Sequence, residues 1–231
     1  MQILIDIGIV LMAYIFGSIP FGLLIVKFKT GKDIREIESG RTGGTNALRA
    51  AGFSAGLLTA LMDVLKGAAS VWAAEVISPA HHWLHVIAPI AAIIGHNYSI
   101  FLPERDENGK LTRLRGGAGG APSVGGAIGL WAPSLLIILP LGALTFFTLG
   151  IASITTMSVA LFAIIIFAIR ALQGLMPWFD LVYGIAAEIL LIWALRPNIQ
   201  KLLHGQERVV KYSLYGKIRE RREARQGKKN I

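Results

Sequence analysis

The feature that most constrains this fold is a succession of seven apolar blocks, separated by polar loops, that runs along the 231 residues of the chain. A helix needs roughly 20 apolar residues to cross a bilayer, and shorter ones occur when they pack among others. The mean hydropathy of +0.58 exceeds that of an ordinary water-soluble domain. We therefore predict an all-α, polytopic membrane helix bundle of about seven transmembrane helices, at residues 4–26, 53–77, 83–102, 121–132, 134–150, 153–169 and 181–195.

Positive charge predicts the orientation of the bundle, because Lys and Arg are retained on the cytoplasmic side of a membrane. Of the 23 Lys and Arg, 21 fall in three segments, at residues 27–49, at residues 105–115 and from residue 196 onward. With an odd number of spans, the N-terminus lies outside and the C-terminus lies in the cytoplasm. The first block has no basic residues before it and no small-residue cleavage site after it, which indicates a retained span. Residues 1–205 are thus predicted to form one membrane domain, and residues 206–231 a basic cytoplasmic tail.

Composition also excludes several classes of function. The net charge of +9 follows from topology and the basic tail beside an anionic membrane surface, so we expect no nucleic-acid partner. Without cysteine, the chain has no disulfides and no thiolate metal site. His81, His82 and His85 offer a possible metal pair on the outer loop, but interfacial polarity is the favoured interpretation. We predict no metal and no cofactor.

A glycine-rich run at residues 115–122 opens one apolar block and has two interpretations. Glycines let backbone N–H groups approach an anion closely, and a neighbouring arginine supplies a planar fork of donors. Such runs also occur as plain turns or as close-packing points between membrane helices. The phosphate-binding interpretation assigns the anion contacts to Arg115, Gly116, Gly117 and Gly119.

A second possible anion cradle lies in the first basic loop. Three glycines, four small polar residues and two arginines fall within residues 39–49. The alternative is that Ser39 or Thr45 caps a helix that begins near Ala47, since such side chains accept hydrogen bonds from free N–H groups. Two glycine-rich loops on one membrane face favour a shared phosphate site.

Intramembrane charge and the third basic segment add to this site. Asp63 and Lys66 are three residues apart, so they either neutralise each other or direct Lys66 toward an anionic substrate. Arg196 is either a positive anchor at the end of a span or a phosphate ligand. There is no Walker motif, nucleophile elbow or His-Asp pair at five-residue spacing, so any chemistry must rely on positioning and electrostatics.

In these segments the chain resembles the bacterial acyl-phosphate:glycerol-3-phosphate acyltransferases, which are small seven-span inner-membrane enzymes. The resemblance covers nearly the whole chain, through GSIPFG at residues 17–22, DVLKG at residues 63–67, GH at residues 95–96 and ASIT at residues 152–155. It implies transfer of a fatty acyl group from acyl phosphate to the 1-hydroxyl of glycerol 3-phosphate, with substrate phosphate accepting the proton. It also implies a bacterial inner-membrane location, contact with membrane lipid and a monomeric protein.

The resemblance assigns roles to individual residues. Ser39, Arg49, Ser153 and Asn198 fall on catalytic positions, and Glu207 is structural at the site. The phosphate-binding positions, taken from the motifs and from the loops, are Gly43, Thr45, Asn46, Lys66, Arg115, Gly116, Gly117, Gly119 and Arg196.

The chain departs from the family pattern within its motifs. Arg41 stands where the family has asparagine, Ala118 stands where it has a lysine, and Leu195 stands where it has histidine. Residues 103–113 read as an insertion, and Arg41, Arg113 or Arg115 could supply the missing cation. Three alternatives stay open: a divergent paralogue with weak or no activity, a membrane organophosphate transporter, and a non-catalytic lipid-binding scaffold.

Overall fold

The fold is an α-helical bundle with one short β-hairpin, seen in a computed structural model that describes residues 1–211 and 213–227. The hairpin pairs β1 (Pro103–Arg105) with β2 (Leu111–Leu114) in antiparallel register. It occupies the segment that the sequence marked as an insertion, and it is the one departure from the all-α prediction within the described residues. The helices are α1 (Gln2–Ser18), α2 (Phe21–Thr30), α3 (Gly44–Ala51), α4 (Phe53–Ile77), α5 (His82–Asn97), α6 (Gly120–Leu130), α7 (Leu135–Leu149), α8 (Ala152–Leu172), α9 (Asp180–Ala194), α10 (Arg196–Leu203) and α11 (Leu214–Gly227).

Helices stand at all seven positions predicted from the apolar blocks, but not all of them are long enough to count as spans. In the described part of the chain, four stretches are long and apolar enough to cross a membrane: Gln2–Thr30, Phe53–Ile77, Ala132–Leu149 and Ala152–Leu172. The pair α9 and α10, bent by 66°, makes a fifth if it is one broken span. The count of seven and the orientation of the termini therefore stay predictions.

The first apolar block is not one continuous helix. It breaks at Ile19 and Pro20 because proline has no N–H to donate and disfavours the helical conformation in the residue before it. The break leaves the carbonyl group of Gly17 without an intrahelical partner, and that of Ile19 accepts from the Phe21 amide in a tight turn; the Lys66 ammonium from α4 donates a hydrogen bond to each of the two carbonyls. The broken helix is thereby tied to α4.

Close backbone contacts at small residues hold the bundle together. A Cβ atom on Gly67 of α4 would overlap the backbone at Pro122 of α6, and one on Gly125 of α6 would overlap Val64 of α4. Glycines in α1 and α5 make the same kind of crossing between those two helices. Small residues allow such close approach between membrane helices, where packing and not burial from water drives association. These crossings hold α6 against α4 and α5 against α1.

The C-terminal segment packs back onto the bundle. The amide of Val210 donates to the carbonyl of Gly150 at 2.8 Å, and α11 lies against α7. The predicted basic tail, residues 206–231, is therefore partly ordered structure. Residue 212 and residues 228–231 of that tail lie outside the described residues.

Candidate active site

A cavity of about 580 Å³ opens where the first basic loop, the glycine run that begins α6 and the third basic segment meet. Its lining comes from residues 38–49, residues 118–121, the start of α8, and residues 195–208. Residues of these segments, which were predicted to share one site, therefore lie together around one cavity. The predicted site residues that line the cavity are Ser39, Gly43, Thr45, Asn46, Arg49, Gly119, Ser153, Asn198 and Glu207.

Three helix N-termini line this cavity. They are Gly43 to Thr45 of α3, Gly119 to Ala121 of α6, and Ala152 with Ser153 of α8. Within the described residues, none of the three has a side-chain hydrogen bond as a cap. The first N–H groups of a helix have no intrahelical partner and lie at the positive end of the helix dipole, so each end attracts an anion.

The start of α3 differs from the alternative interpretation of the first basic loop. That alternative placed a helix start near Ala47 with Ser39 or Thr45 as its cap, but the helix begins at Gly44 and its N-cap is Gly43. A Cβ atom on Gly44 would lie 3.0 Å from the carbonyl oxygen of Gly56, so the small residue lets the helix start here against α4. The hydroxyl of Thr45 is left beside the cavity with no hydrogen bond to another described residue.

Four basic side chains add positive charge to the lining. Arg49 and Lys201 make no hydrogen bond or ion pair with any described residue. Arg41 donates from Nη2 to the carbonyl oxygen of Ala194 at 2.8 Å, at the carboxyl end of α9. Burial lowers the pKa of the Arg41 guanidinium, while the charge of Glu207 opposes that shift. The fourth is Arg208.

Glu207 joins two of the predicted catalytic side chains. Its Oε1 accepts a hydrogen bond from Ser153 Oγ at 3.1 Å and one from Asn198 Nδ2 at 2.9 Å. These bonds link the start of α8, the start of α10 and the segment that follows Gly205. A carboxylate that accepts two bonds from different helices fixes the relative positions of their donors.

Asn46 and Ser39 shape the first loop from within. The Nδ2 of buried Asn46 lies 2.9 to 3.1 Å from three carbonyl oxygens, those of Ile34, Ile37 and Arg41. The exposed Ser39 accepts a long bond, 3.4 Å, from the amide of Arg41. Asn46 thus holds the loop that carries the other cavity residues, although it also lines the cavity itself.

The glycine run divides into two parts with different surroundings. Gly116 and Gly117 lie against α5, where Cβ atoms would overlap the backbone of His96 and Asn97 and the imidazole ring of His96. The Gly117 amide donates to the His96 carbonyl at 2.8 Å, so this N–H is not free for an anion. Gly119, with φ of 90°, turns the chain into α6 at the cavity. Gly116 and Gly117 are therefore close-packing points against α5, whereas Gly119 lies where the phosphate-binding interpretation placed it, at the cavity.

A buried cluster of polar side chains lies next to the glycine run. Lys66 Nζ lies 3.0 Å from Asp63 Oδ1 and 3.2 Å from His96 Nδ1, and it also donates to the carbonyls of Gly17 and Ile19. The intrahelical ion pair predicted from the sequence is present. Lys66 itself does not line the cavity, whereas Asp63 and His96 do.

The remaining predicted ligands point elsewhere. Arg115 pairs with Glu104 of the hairpin at 3.0 Å, and Arg113 also pairs with Glu104. The hydrogen bond from Arg113, together with the charge of Arg115, holds the pKa of the Glu104 carboxyl below its usual value. The guanidinium of Arg196 stacks 3.5 Å from the Trp193 ring centroid. Phosphate contacts by Lys66, Arg115, Arg196, Gly116 and Gly117 stay predictions, since none of these residues lines the cavity.

Sequence reasoning missed several lining residues. Thr156 lies one turn beyond Ser153 on α8, and Lys201 lies one turn beyond Asn198 on α10. Helical spacing from the two predicted residues would have found both. Glu38 and Arg208 also line the cavity, and no local spacing predicts that two residues so distant in sequence meet.

Two of the three histidines considered as a metal site lie beside carboxylates, and the third, His85, lies beside the carbonyl oxygen of Ser78. His82 Nε2 lies 2.6 Å from Asp180 Oδ1, and His81 Nδ1 lies 3.5 Å from Asp6 Oδ1. Among the described residues, no group of three or more histidine, aspartate or glutamate side chains is arranged to hold a metal ion.

Known proteins share both the sequence pattern and the architecture of this chain. The family model for glycerol-3-phosphate acyltransferase matches residues 7–205. A glycerol-3-phosphate acyltransferase of Thermus thermophilus is 34% identical over 198 residues, covering 86% of this chain and 92% of the relative. One from Desulfovibrio desulfuricans is 35% identical over 203 residues, covering 85% of this chain and 81% of the relative.

Solved structures agree with the sequence matches. An integral membrane glycerol 3-phosphate acyltransferase, crystallised in its glycerol 3-phosphate form, superposes with a TM-score of 0.76 at 28% identity. The match covers 89% of this chain and 95% of that chain. The lysophosphatidic acid form of that enzyme superposes with a TM-score of 0.74. From its motifs, its fold and these matches, this chain belongs to the glycerol-3-phosphate acyltransferase family.

Proposed function

We propose that this chain is a membrane acyltransferase that moves a fatty acyl group from acyl phosphate to the 1-hydroxyl of glycerol 3-phosphate, giving lysophosphatidic acid and inorganic phosphate. The observation that carries this proposal is the convergence of three uncapped helix N-termini and unpaired basic side chains on one cavity. Both substrates carry a phosphate group, and each helix N-terminus offers free N–H donors to such a group. Family membership supplies the acceptor substrate.

The cavity residues divide into binding and positioning roles. The N–H groups that begin α3 and α6, together with Arg49 and Lys201, bind the two phosphates. Ser153 and Asn198, held by Glu207, orient the glycerol hydroxyl and the acyl carbonyl with respect to each other. Holding two reactants in a productive orientation removes much of the entropic barrier of a two-substrate reaction.

The reaction balances without a protein base. The 1-hydroxyl oxygen forms a bond to the acyl carbon, and the bond between that carbon and the phosphate oxygen breaks. The hydroxyl proton moves to a phosphate oxygen of the acyl phosphate and leaves with inorganic phosphate. Backbone N–H groups and cations of the cavity stabilise the negative charge that develops on the carbonyl oxygen.

The proposal includes a setting for the enzyme. The chain is a monomer of the bacterial cell membrane, with seven spans, the N-terminus outside and the cavity on the cytoplasmic side. The basic side chains of the first and third basic segments at the cavity, Arg41, Arg49, Lys201 and Arg208, support this orientation, because positive charge is retained in the cytoplasm.

The test is to purify the protein in detergent and supply palmitoyl phosphate with glycerol 3-phosphate. Release of inorganic phosphate equimolar with lysophosphatidic acid supports the proposal. Absence of product at high protein concentration rejects it and leaves the transporter and scaffold alternatives. The Arg49→Gln variant should lose most of the activity. Lys211→Gln, which removes an exposed cation that does not line the cavity, is the matched control.

A further inference from the structure

The segment after Gly205 carries a cation into the cavity from beyond the matched part of the chain. The family match ends at residue 205, yet Gln206, Glu207 and Arg208 all line the cavity. The bonds of Glu207 to α8 and α10 fix the backbone of this segment. Arg208 is thereby presented at the cavity mouth with a side chain that is 68% exposed.

Arg208 is paired across the mouth with Glu38. Its Nη1 contacts Glu38 Oε2, which joins the C-terminal segment to the first basic loop. Glu38 also lines the cavity. The pair therefore places one negative charge next to a cation of the cavity lining.

The backbone at Glu38 is unusual. Its φ of 52° is the one positive value at a non-glycine position in the described parts of the chain. A left-handed conformation is unfavourable for a residue with a Cβ atom, and such residues cluster at functional sites. Here it directs the carboxylate toward Arg208.

An exposed ion pair of this kind is weak, whereas a phosphate group is a stronger partner. Exposed pairs contribute little because water and salt screen them. A phosphate group, like a carboxylate, accepts two parallel bonds from a guanidinium, and it carries more negative charge than a carboxylate. Exchange of Glu38 for phosphate is therefore favourable at this site.

We infer that Arg208 is a phosphate-binding residue of the cavity and that Glu38 is its partner in the empty protein, displaced when a substrate phosphate binds. This inference rests on the proposed function, since it concerns the same cavity. It assigns to the C-terminal segment a part in substrate binding. The phosphate belongs either to the glycerol substrate or to the acyl donor, and the two arms of the test distinguish them.

The test measures KM and kcat for Arg208→Gln, Glu38→Gln, the double variant and the control Lys211→Gln. One arm varies glycerol 3-phosphate at saturating palmitoyl phosphate, and the other arm varies palmitoyl phosphate. Arg208→Gln should raise one of the two KM values by about fivefold, as suits a partly exposed charged contact, with kcat nearly unchanged. Glu38→Gln should lower the same KM, and the double variant should behave like Arg208→Gln.

Two results would overturn the inference in an active enzyme. One is a pair of KM values for Arg208→Gln that match those of Lys211→Gln. The other is a double variant that keeps the lowered KM of Glu38→Gln, because Glu38 would then act without Arg208.

A binding measurement separates this inference from the acyltransferase proposal. Glycerol 3-phosphate and inorganic phosphate should raise the melting temperature of the wild-type protein, and Arg208→Gln should reduce that rise. If the wild-type protein makes no product but shows this difference, the activity fails and the phosphate site stands. If neither anion stabilises the wild-type protein, both are rejected.

Discussion

Removal of the Glu207 carboxylate should slow turnover more than it unfolds the protein. Oε1 accepts bonds from Ser153 and Asn198, and hydrogen bonds to a charged group contribute about 1.5–3 kcal/mol, against about 0.5–1.5 kcal/mol for neutral ones. Glu207→Gln keeps the acceptor oxygen but loses the charge, or roughly 2 kcal/mol over two bonds. If this loss falls on the transition state, it lowers kcat about 30-fold.

Glu207→Ala removes both bonds. Because the side chain is half-buried and water can replace part of the interaction, we expect a loss of about 3 kcal/mol, or more than a hundredfold in kcat. The assay is phosphate release in detergent at saturating substrates, with the melting temperature recorded for each variant. Glu107→Ala in the exposed hairpin turn is the matched control.

A folded Glu207→Ala protein with kcat close to that of the control would refute this reasoning. It would show that the bonds seen between Glu207 and the two helices do not position reacting groups. An equal loss in both Glu207 variants would show instead that the negative charge, and not the acceptor oxygen, is what the site needs.

Three further predictions follow from the cavity and its support. Ala118→Lys adds a cation to the lining and should raise kcat/KM about tenfold, measured at subsaturating substrate; an unchanged rate would show that the cations present suffice. Gly117→Ala places a methyl group where the imidazole ring of His96 lies and should destabilise the protein by about 1–3 kcal/mol. Gly8→Ala, with open space around its Cβ position, should not destabilise it, and thermal melting in detergent distinguishes the two variants. Lys66→Met leaves Asp63 as a buried charge with only the His96 imidazole beside it and should destabilise the protein by about 3–5 kcal/mol. A second change of that aspartate to asparagine should recover part of this loss, and equal melting of the single variant and the wild type would contradict the prediction.

The apolar pattern predicted where helices lie, but not how long each one is. Proline at position 20 marks the break in the first block, because its chemistry acts locally. The hairpin at residues 103–114 was seen only as an insertion, since its short strands are held by pairs such as Glu104 with Arg113 that form across the turn. The number of spans depends on where the membrane lies relative to each helix, and helix length alone does not determine this.

The site was predicted best where chemistry is carried by the backbone. Glycine-rich segments at helix starts indicated anion binding, and two of these helix starts line the cavity. The contacts of individual cations were harder to predict, because a long side chain pairs with residues that are distant in sequence and that local spacing does not reveal. Arg115 pairs with the hairpin and Arg196 stacks on Trp193, while Arg41 reaches the cavity.

The tie between Lys66 and the broken first helix has a consequence for how the chain is assembled. The carbonyls of Gly17 and Ile19 emerge from synthesis early, whereas the ammonium that satisfies them follows 47 to 49 residues later. Carbonyl groups that lack partners are unfavourable in hydrocarbon, so we expect the first helix to reach its final bent form only after α4 has entered beside it. We expect these two segments to become protease-resistant together during synthesis, and the Lys66→Met protein to lose that synchrony. The residue thus sets an order of events in biogenesis.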